Sequence, residues 1–197
     1  MTPHPDFARF FNALQNNPDL FAPFQADVYR QTLPRFMSLP YRFTGVGSVL
    51  SGGRWGVQRL MPAVYASTDL QTLTAEAYYR GRLYGWMPQQ FKTQLVVTMR
   101  WELQAVLDLT APATLKLLKV KNAEILACDW LAEQSALREA ITQAIARAAF
   151  ENQAEGMVVP SARRSGGINV VYYPTHRRSG TGIQTRDEAN IPFMHGL

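Results

Sequence analysis

Strand-like and helix-like stretches follow one another along this chain without a regular strand–helix–strand rhythm. That order constrains the fold more than any other feature. Regular alternation builds a parallel, doubly wound sheet, whereas an irregular order predicts an α+β fold with a mixed or largely antiparallel sheet. The β-rich runs are Ala63–Ser67, Gln94–Trp101, Ala105–Leu109, Met157–Pro160 and Ile168–Tyr173, with a short candidate at Pro40–Thr44. Helical patterning covers Leu70–Arg82, Pro112–Lys119 and Leu131–Phe150. In the last of these, Leu137, Ile141, Ile145 and Ala149 form one apolar stripe, and Gly156 is the expected stop.

The first 38 residues read as a small helical extension. Phe7, Phe10, Phe11 and Leu14 recur at helical spacing before Asn16-Asn17-Pro18, and a second helix is expected over Pro18–Gln31. Residues 39–175 read as the main domain. Residues 176–197 read as a polar loop-like tail.

Nothing outside the chain is needed to hold such a fold. At 197 residues with 47% hydrophobic and 18% charged side chains, it can bury a sizeable core. The single cysteine, Cys128, excludes an internal disulfide framework and a cysteine-based zinc site. No apolar run reaches the length needed to cross a bilayer, and the first residues lack the pattern of a secretory signal. A cytoplasmic protein without membrane attachment is expected.

The net charge is +5, and the cations are unevenly placed. Nine lie between Arg30 and Arg100, opposed only by Asp69 and Glu76. Arginine dominates, and its planar fork suits phosphate or carboxylate. An anionic ligand is expected for this stretch.

There is no phosphate-binding P-loop, no Gly-x-Gly-x-x-Gly after a strand, and no histidine spaced as a metal ligand. No metal is expected. The residues left for chemistry are polar groups inside apolar elements. Arg42 sits in Tyr41-Arg42-Phe43, and Arg54 lies among Gly52, Gly53 and Gly56, where backbone can approach a ligand closely. Tyr65 is in a strand, Glu76 lies between Ala75 and Ala77 on a helix, and Ser161 opens the loop Ser161–Gly167. Taken singly, each also fits a solvated or structural role.

Together these segments resemble the RES domain family. They are Gly52-Gly53-Arg54-Trp55, Val64-Tyr65-Ala66-Ser67, Ala75-Glu76, Val159-Pro160-Ser161-Ala162-Arg163 and Asn169-Val170-Val171, with Tyr41-Arg42 before them. Arg54, Tyr65 and Glu76 stand at eleven-residue intervals. The resemblance implies a fold like that of ADP-ribosyltransferase toxins. It also implies the toxin of a toxin–antitoxin pair, partnered by an Xre-type antitoxin, that degrades NAD+ by hydrolysis or phosphorolysis of the nicotinamide–ribose bond. NAD+ is then the substrate, inorganic phosphate is a candidate co-substrate, and nucleic acid is met only through the antitoxin. A homodimer stays open.

Within that resemblance, Arg42 and Arg54 are assigned to the diphosphate and Tyr65 to the nicotinamide ring. Glu76 is assigned to the ribose and the cationic transition state, and Ser161 to the ligand or to holding an arginine. Two alternatives stand beside it. One is ADP-ribosyl transfer to a protein. The other is a basic nucleic-acid-binding module, in which Arg163, Arg164, Arg177 and Arg178 flank Tyr172 and Tyr173.

Overall fold

The computed structural model describes residues 1–32, 43–83, 85–87 and 93–192. Helix α1 (Phe7–Gln15) and a short 3-10 turn (Pro18–Leu20) lead into strand β1 (Phe21–Thr32). Then come α2 (Val46–Ser51), β2 (Val64–Ser67), α3 (Leu70–Leu83) and β3 (Thr93–Asp108). Helices α4 (Pro112–Leu118), α5 (Asn122–Ala127), α6 (Trp130–Ser135) and α7 (Ile141–Glu151) follow. Strands β4 (Gly156–Pro160), β5 (Ile168–Tyr172) and β6 (Gly182–Pro192) complete the described chain.

The six strands form one mixed sheet in the order β1-β2-β5-β4-β3-β6, and β1 also pairs with β3. Five strands therefore close into a ring, and β6 continues the sheet from β3. Only β3 and β4 run parallel; every other pairing is antiparallel. The expected α+β class with a mixed sheet is what is observed. The ring closes through a narrow seam, the single register pair of Tyr29 with Ser67.

Strand alternation sends side chains to two cores. Val64, Ala66, Val158, Val170 and Tyr172 face one, together with Val28, Met99 and Trp101. Met157, Val159, Val171 and Tyr173 face the other, where Phe10 and Leu14 of α1 and Ala144, Ile145 and Ala148 of α7 cover them. Tyr65 also packs against this second core.

Several expectations are corrected. The second N-terminal helix is absent: Phe21–Thr32 is a strand paired with β3 along its length. Pro23 falls where the register shifts between Ala22 and Phe24, a bulge that tolerates the missing N–H. The long C-terminal helix is two helices. Leu137, expected on its buried stripe, lies between them at φ 57° and is 70% exposed. The break turns Glu139 inward, where its carboxylate accepts from Arg147 and from the His4 N–H. Gly156 opens β4 rather than ending a helix, and Gln94–Leu109 is essentially one strand, not two. Much of the tail is not loop-like: Gly182–Pro192 is a strand paired with β3. Val46–Ser51, just before the glycines around Arg54, is helix α2. The Pro40–Thr44 strand candidate and Arg42 fall largely or wholly outside the described residues.

Candidate active site

The second-core face of the sheet carries a small cleft beside helix α3. Leu73, Glu76, Ala77 and Arg80 line it from α3, at positions i, i+3, i+4 and i+7 of one helical face. Tyr65, Ala66 and Ser67 line it from β2, Asn169 from β5, and Arg30 and Gln31 from β1. Its volume is about 50 Å³. A buried water needs ~10–15 Å³ measured this way, so the cleft holds roughly three to five waters or one compact polyatomic group.

Glu76 is held by a directed chain of hydrogen bonds. The Ser161 hydroxyl donates to Glu76 Oε1 at 2.7 Å, and Asn169 Nδ2 donates to the same oxygen at 2.8 Å. Ser67 in turn donates to Asn169 Oδ1 at 2.7 Å. An ionised carboxylate only accepts, so Asn169 must present its amide N–H to it and its carbonyl to Ser67. Ser161 accepts from the backbone N–H of Arg163 and of Arg164 at 3.1 and 3.2 Å. The loop after β4 thereby fixes the hydroxyl that fixes Glu76. Among the described residues no donor reaches Oε2, so one carboxylate oxygen is left for a ligand.

Sheet register explains why these groups meet. Ser67 and Asn169 are direct partners in the β2–β5 ladder, and Val159 and Asn169 are partners in β4–β5. Alternation then places Tyr65, Ser67, Asn169 and Ser161 on one face. Asp69 starts α3 by accepting from Thr72 N–H and hydroxyl, which sets the phase that turns Glu76 toward that face.

Tyr65 is partly buried, and its hydroxyl accepts from the Trp55 N–H at 3.2 Å. Burial pushes its ionisation above the usual tyrosine range. The hydroxyl is therefore committed to the loop before β2, and the ring forms a wall of the cleft. Gly53 is required by this contact: a Cβ there would sit 2.6 Å from the Tyr65 oxygen. The glycines around Arg54 thus admit a tyrosine, which differs from the ligand approach expected of them.

Arg54 donates to the Ile125 carbonyl at 2.7 Å. Burial lowers its pKa; the neighbouring Arg163 adds to that, while Cys128 and Glu76 oppose it. Arg54 and Glu76 therefore act on each other electrostatically, although Arg54 does not line the cleft itself. Arg163 stacks over Tyr79, its guanidinium carbon 3.2 Å from the ring centre. Arg164 is occupied by Asp69, Thr72 and Gln71.

Three cleft residues escaped the sequence reading: Arg30, Arg80 and Asn169. Tyr-Arg occurs three times, at 29–30, 41–42 and 79–80. The first and third of these bring an arginine into the cleft. Misreading Pro18–Gln31 as helix hid Arg30. Asn169 was quoted only as part of a motif; its position opposite Ser67 becomes visible once β2 and β5 are paired.

The nucleic-acid alternative loses its stacking surface, since Tyr172 and Tyr173 are buried. Arg177 and Arg178 donate to the Thr181 and Gln153 carbonyls. Among the described residues no helix is long and apolar enough to cross a membrane.

Known proteins resemble this chain in sequence and fold. The family model described as the RES domain matches residues 27–193. Proteins named NAD(+) phosphorylase MbcT, from Mycobacterium tuberculosis and Mycobacterium bovis, are 26% identical over 162 residues. The match covers 77% of this chain and 81% of each relative. The crystal structure of the M. tuberculosis MbcT–MbcA toxin–antitoxin complex contains a chain of the same fold. Its TM-score is 0.69 at 24% identity, covering 91% of this chain and 92% of that one.

Proposed function

The chain belongs to the RES domain family, and from that premise we propose that it is a toxin that destroys NAD+ by cleaving the nicotinamide–ribose bond, with inorganic phosphate as the acceptor. The observation that carries this is Glu76. Its Oε1 is pinned by Ser161 and Asn169, no donor among the described residues reaches its Oε2, and the residue lines a cleft shared with Arg30 and Arg80. The relatives' name, NAD(+) phosphorylase, supports phosphate over water or a protein side chain.

The bond to be cleaved already has a cationic leaving group, so no metal or proton is needed to expel it. The sugar passes through an oxocarbenium-like state, as in glycoside hydrolysis. A fixed carboxylate beside the anomeric carbon stabilises that developing charge without reorganising. The same oxygen accepts from a ribose hydroxyl in the ground state. Ser161 and Asn169 act through Glu76 and are positioning residues. Arg54, with Arg163 close by, is assigned to the dinucleotide's diphosphate, because paired guanidinium groups fix geometry as well as charge. The Tyr65 ring bounds the cleft.

Loss of NAD+ in the cytoplasm is lethal, so such an activity needs a partner that occludes the site. An Xre-type antitoxin is assigned to that role; the toxin–antitoxin title of the structural neighbour supports it. The test is to incubate purified protein with NAD+, with and without phosphate, and to identify the products. Nicotinamide and ADP-ribose 1″-phosphate are expected, with a rate that rises with phosphate. Intact NAD+ at every phosphate concentration would remove the enzymatic reading.

A further inference from the structure

Two arginines in the cleft have no part in the arrangement above. Arg30 projects from β1 and Arg80 from α3, and both line the pocket that also holds Glu76 and Asn169. Arg30 donates through Nη1 to the Tyr65 carbonyl at 2.6 Å. Its Nε is buried and has no hydrogen-bond partner. Among the described residues neither guanidinium has a carboxylate within salt-bridge distance, although Arg80 stands one helical turn from Glu76. Burial, and then the charge of Arg80, lower the Arg30 pKa to about 10. Arg80 is exposed, so the demand rests on Arg30: a cation with an orphaned buried donor on the wall of a small cleft calls for an anion, and Arg80 adds charge of the right sign beside it.

The cleft is too small for a dinucleotide and suits a single tetrahedral oxyanion. The nicotinamide ring is a poor occupant, because it carries positive charge in NAD+ and would meet two guanidinium groups. The diphosphate is a chain of two phosphoryl groups and has Arg54 and Arg163 outside the cleft.

We propose that Arg30 and Arg80 form a binding site for one free inorganic phosphate beside Glu76, and that this phosphate is the nucleophile. The proposal rests on the NAD+-cleaving reading above and names its second substrate's site. One oxygen of HPO4²⁻ forms the bond to the anomeric carbon. The C–N bond breaks, and its electron pair neutralises the pyridinium nitrogen. The products are neutral nicotinamide and ADP-ribose 1″-phosphate, and no other proton or electron moves. The two arginines also offset the repulsion between the phosphate dianion and the Glu76 carboxylate.

The test uses the full chain in phosphate-free buffer. Inorganic phosphate alone is titrated into the natural protein and into Arg80→Gln, Arg30→Lys and Arg82→Gln, followed by calorimetry and melting temperature. Arg82 is exposed on the same helix outside the cleft and controls for loss of charge. Initial rates are then measured against phosphate at saturating NAD+ and against NAD+ at saturating phosphate. Phosphate should bind without NAD+ and raise the melting temperature of the natural and Arg82→Gln proteins. Arg80→Gln and Arg30→Lys should weaken it about tenfold or more, the loss expected of a charge-assisted hydrogen bond. Their phosphate KM should rise similarly, while the NAD+ KM moves less than about threefold. A rise confined to the NAD+ KM would place the diphosphate at this pair and overturn the proposal. So would a natural protein that binds no phosphate, or one whose NAD+ consumption ignores it. Phosphate bound at this pair by a protein that never consumes NAD+ would support the site and overturn the reading it rests on.

Discussion

At the scale of single residues, the site is one carboxylate and the groups that aim it. Asn169 and Ser161 share one oxygen of Glu76, so removing either leaves the other in place. Asn169→Ala should therefore lower kcat by about 10–100-fold, the weight of one hydrogen bond to a charged group. Its NAD+ KM should change little, because the contact matters most when positive charge develops on the sugar. Glu76→Gln removes the charge itself and should cost about 10²–10³-fold in kcat. The ordering of the two variants, measured by initial rates on protein with a normal melting curve, checks the positioning role. An Asn169→Ala protein with full kcat would show that Ser161 alone suffices. Glu76, Arg54, Tyr65 and Ser161 stand out in the sequence as polar residues among glycines or apolar neighbours, but only their combination in the family resemblance gave them roles. Arg30 does not stand out, because its strand gains its identity only from pairing with β3.

At the scale of elements, the loop before β2 and the strand itself are fitted to each other through one oxygen atom. Gly53 leaves room for the Tyr65 hydroxyl, which accepts the Trp55 N–H. Gly53→Ala should push the ring aside and destabilise the chain by about 1–3 kcal/mol. For a chain of this size each kcal/mol lowers Tm by about 2–4 °C. Adding Tyr65→Phe, which deletes the obstructing oxygen, should recover much of that loss in a thermal double-mutant cycle. Two losses that simply add would mean the contact is not the cause. Of the elements that the sequence showed, β2, β4 and β5 are short apolar runs, and α3 and α4 carry start signals at Asp69 and Pro112. Those it hid depend on distant partners. β1 contains Pro23 and a bulge, and β6 is a polar strand whose only partner among the described residues is β3. The stripe that joined α6 to α7 failed at Leu137, where a left-handed residue and a buried Glu139 outweigh helical periodicity.

At the scale of the whole molecule, stability should depend on alkaline pH. Burial raises the pKa values of Tyr65 and Tyr173 above that of free tyrosine, 10.0. The unfolded chain then releases those protons first, so stability present below pH 10 is lost as the pH rises above it. Arg30 acts in the opposite sense: its pKa of about 10 lies below the free value of 12.5, so stability is gained across that window. Burial raises Tyr172 as well and lowers Arg54 as it does Arg30, so three tyrosines against two arginines predict a net fall, read as a lower urea midpoint at about pH 10.5 than at pH 8. Tyr173→Phe should flatten that dependence; an unchanged slope would show that its hydroxyl ionises freely in the fold. The closed ring has another consequence, which concerns the order of synthesis. Its seam joins β1 to β2, yet Glu76 waits for Ser161 after β4 and Asn169 in β5, made 85 and 93 residues later. A growing chain on the ribosome therefore holds both arginines of the cleft long before it holds an aimed carboxylate. The aimed carboxylate is complete only once β5 has emerged, and that interval is set by the topology of the sheet.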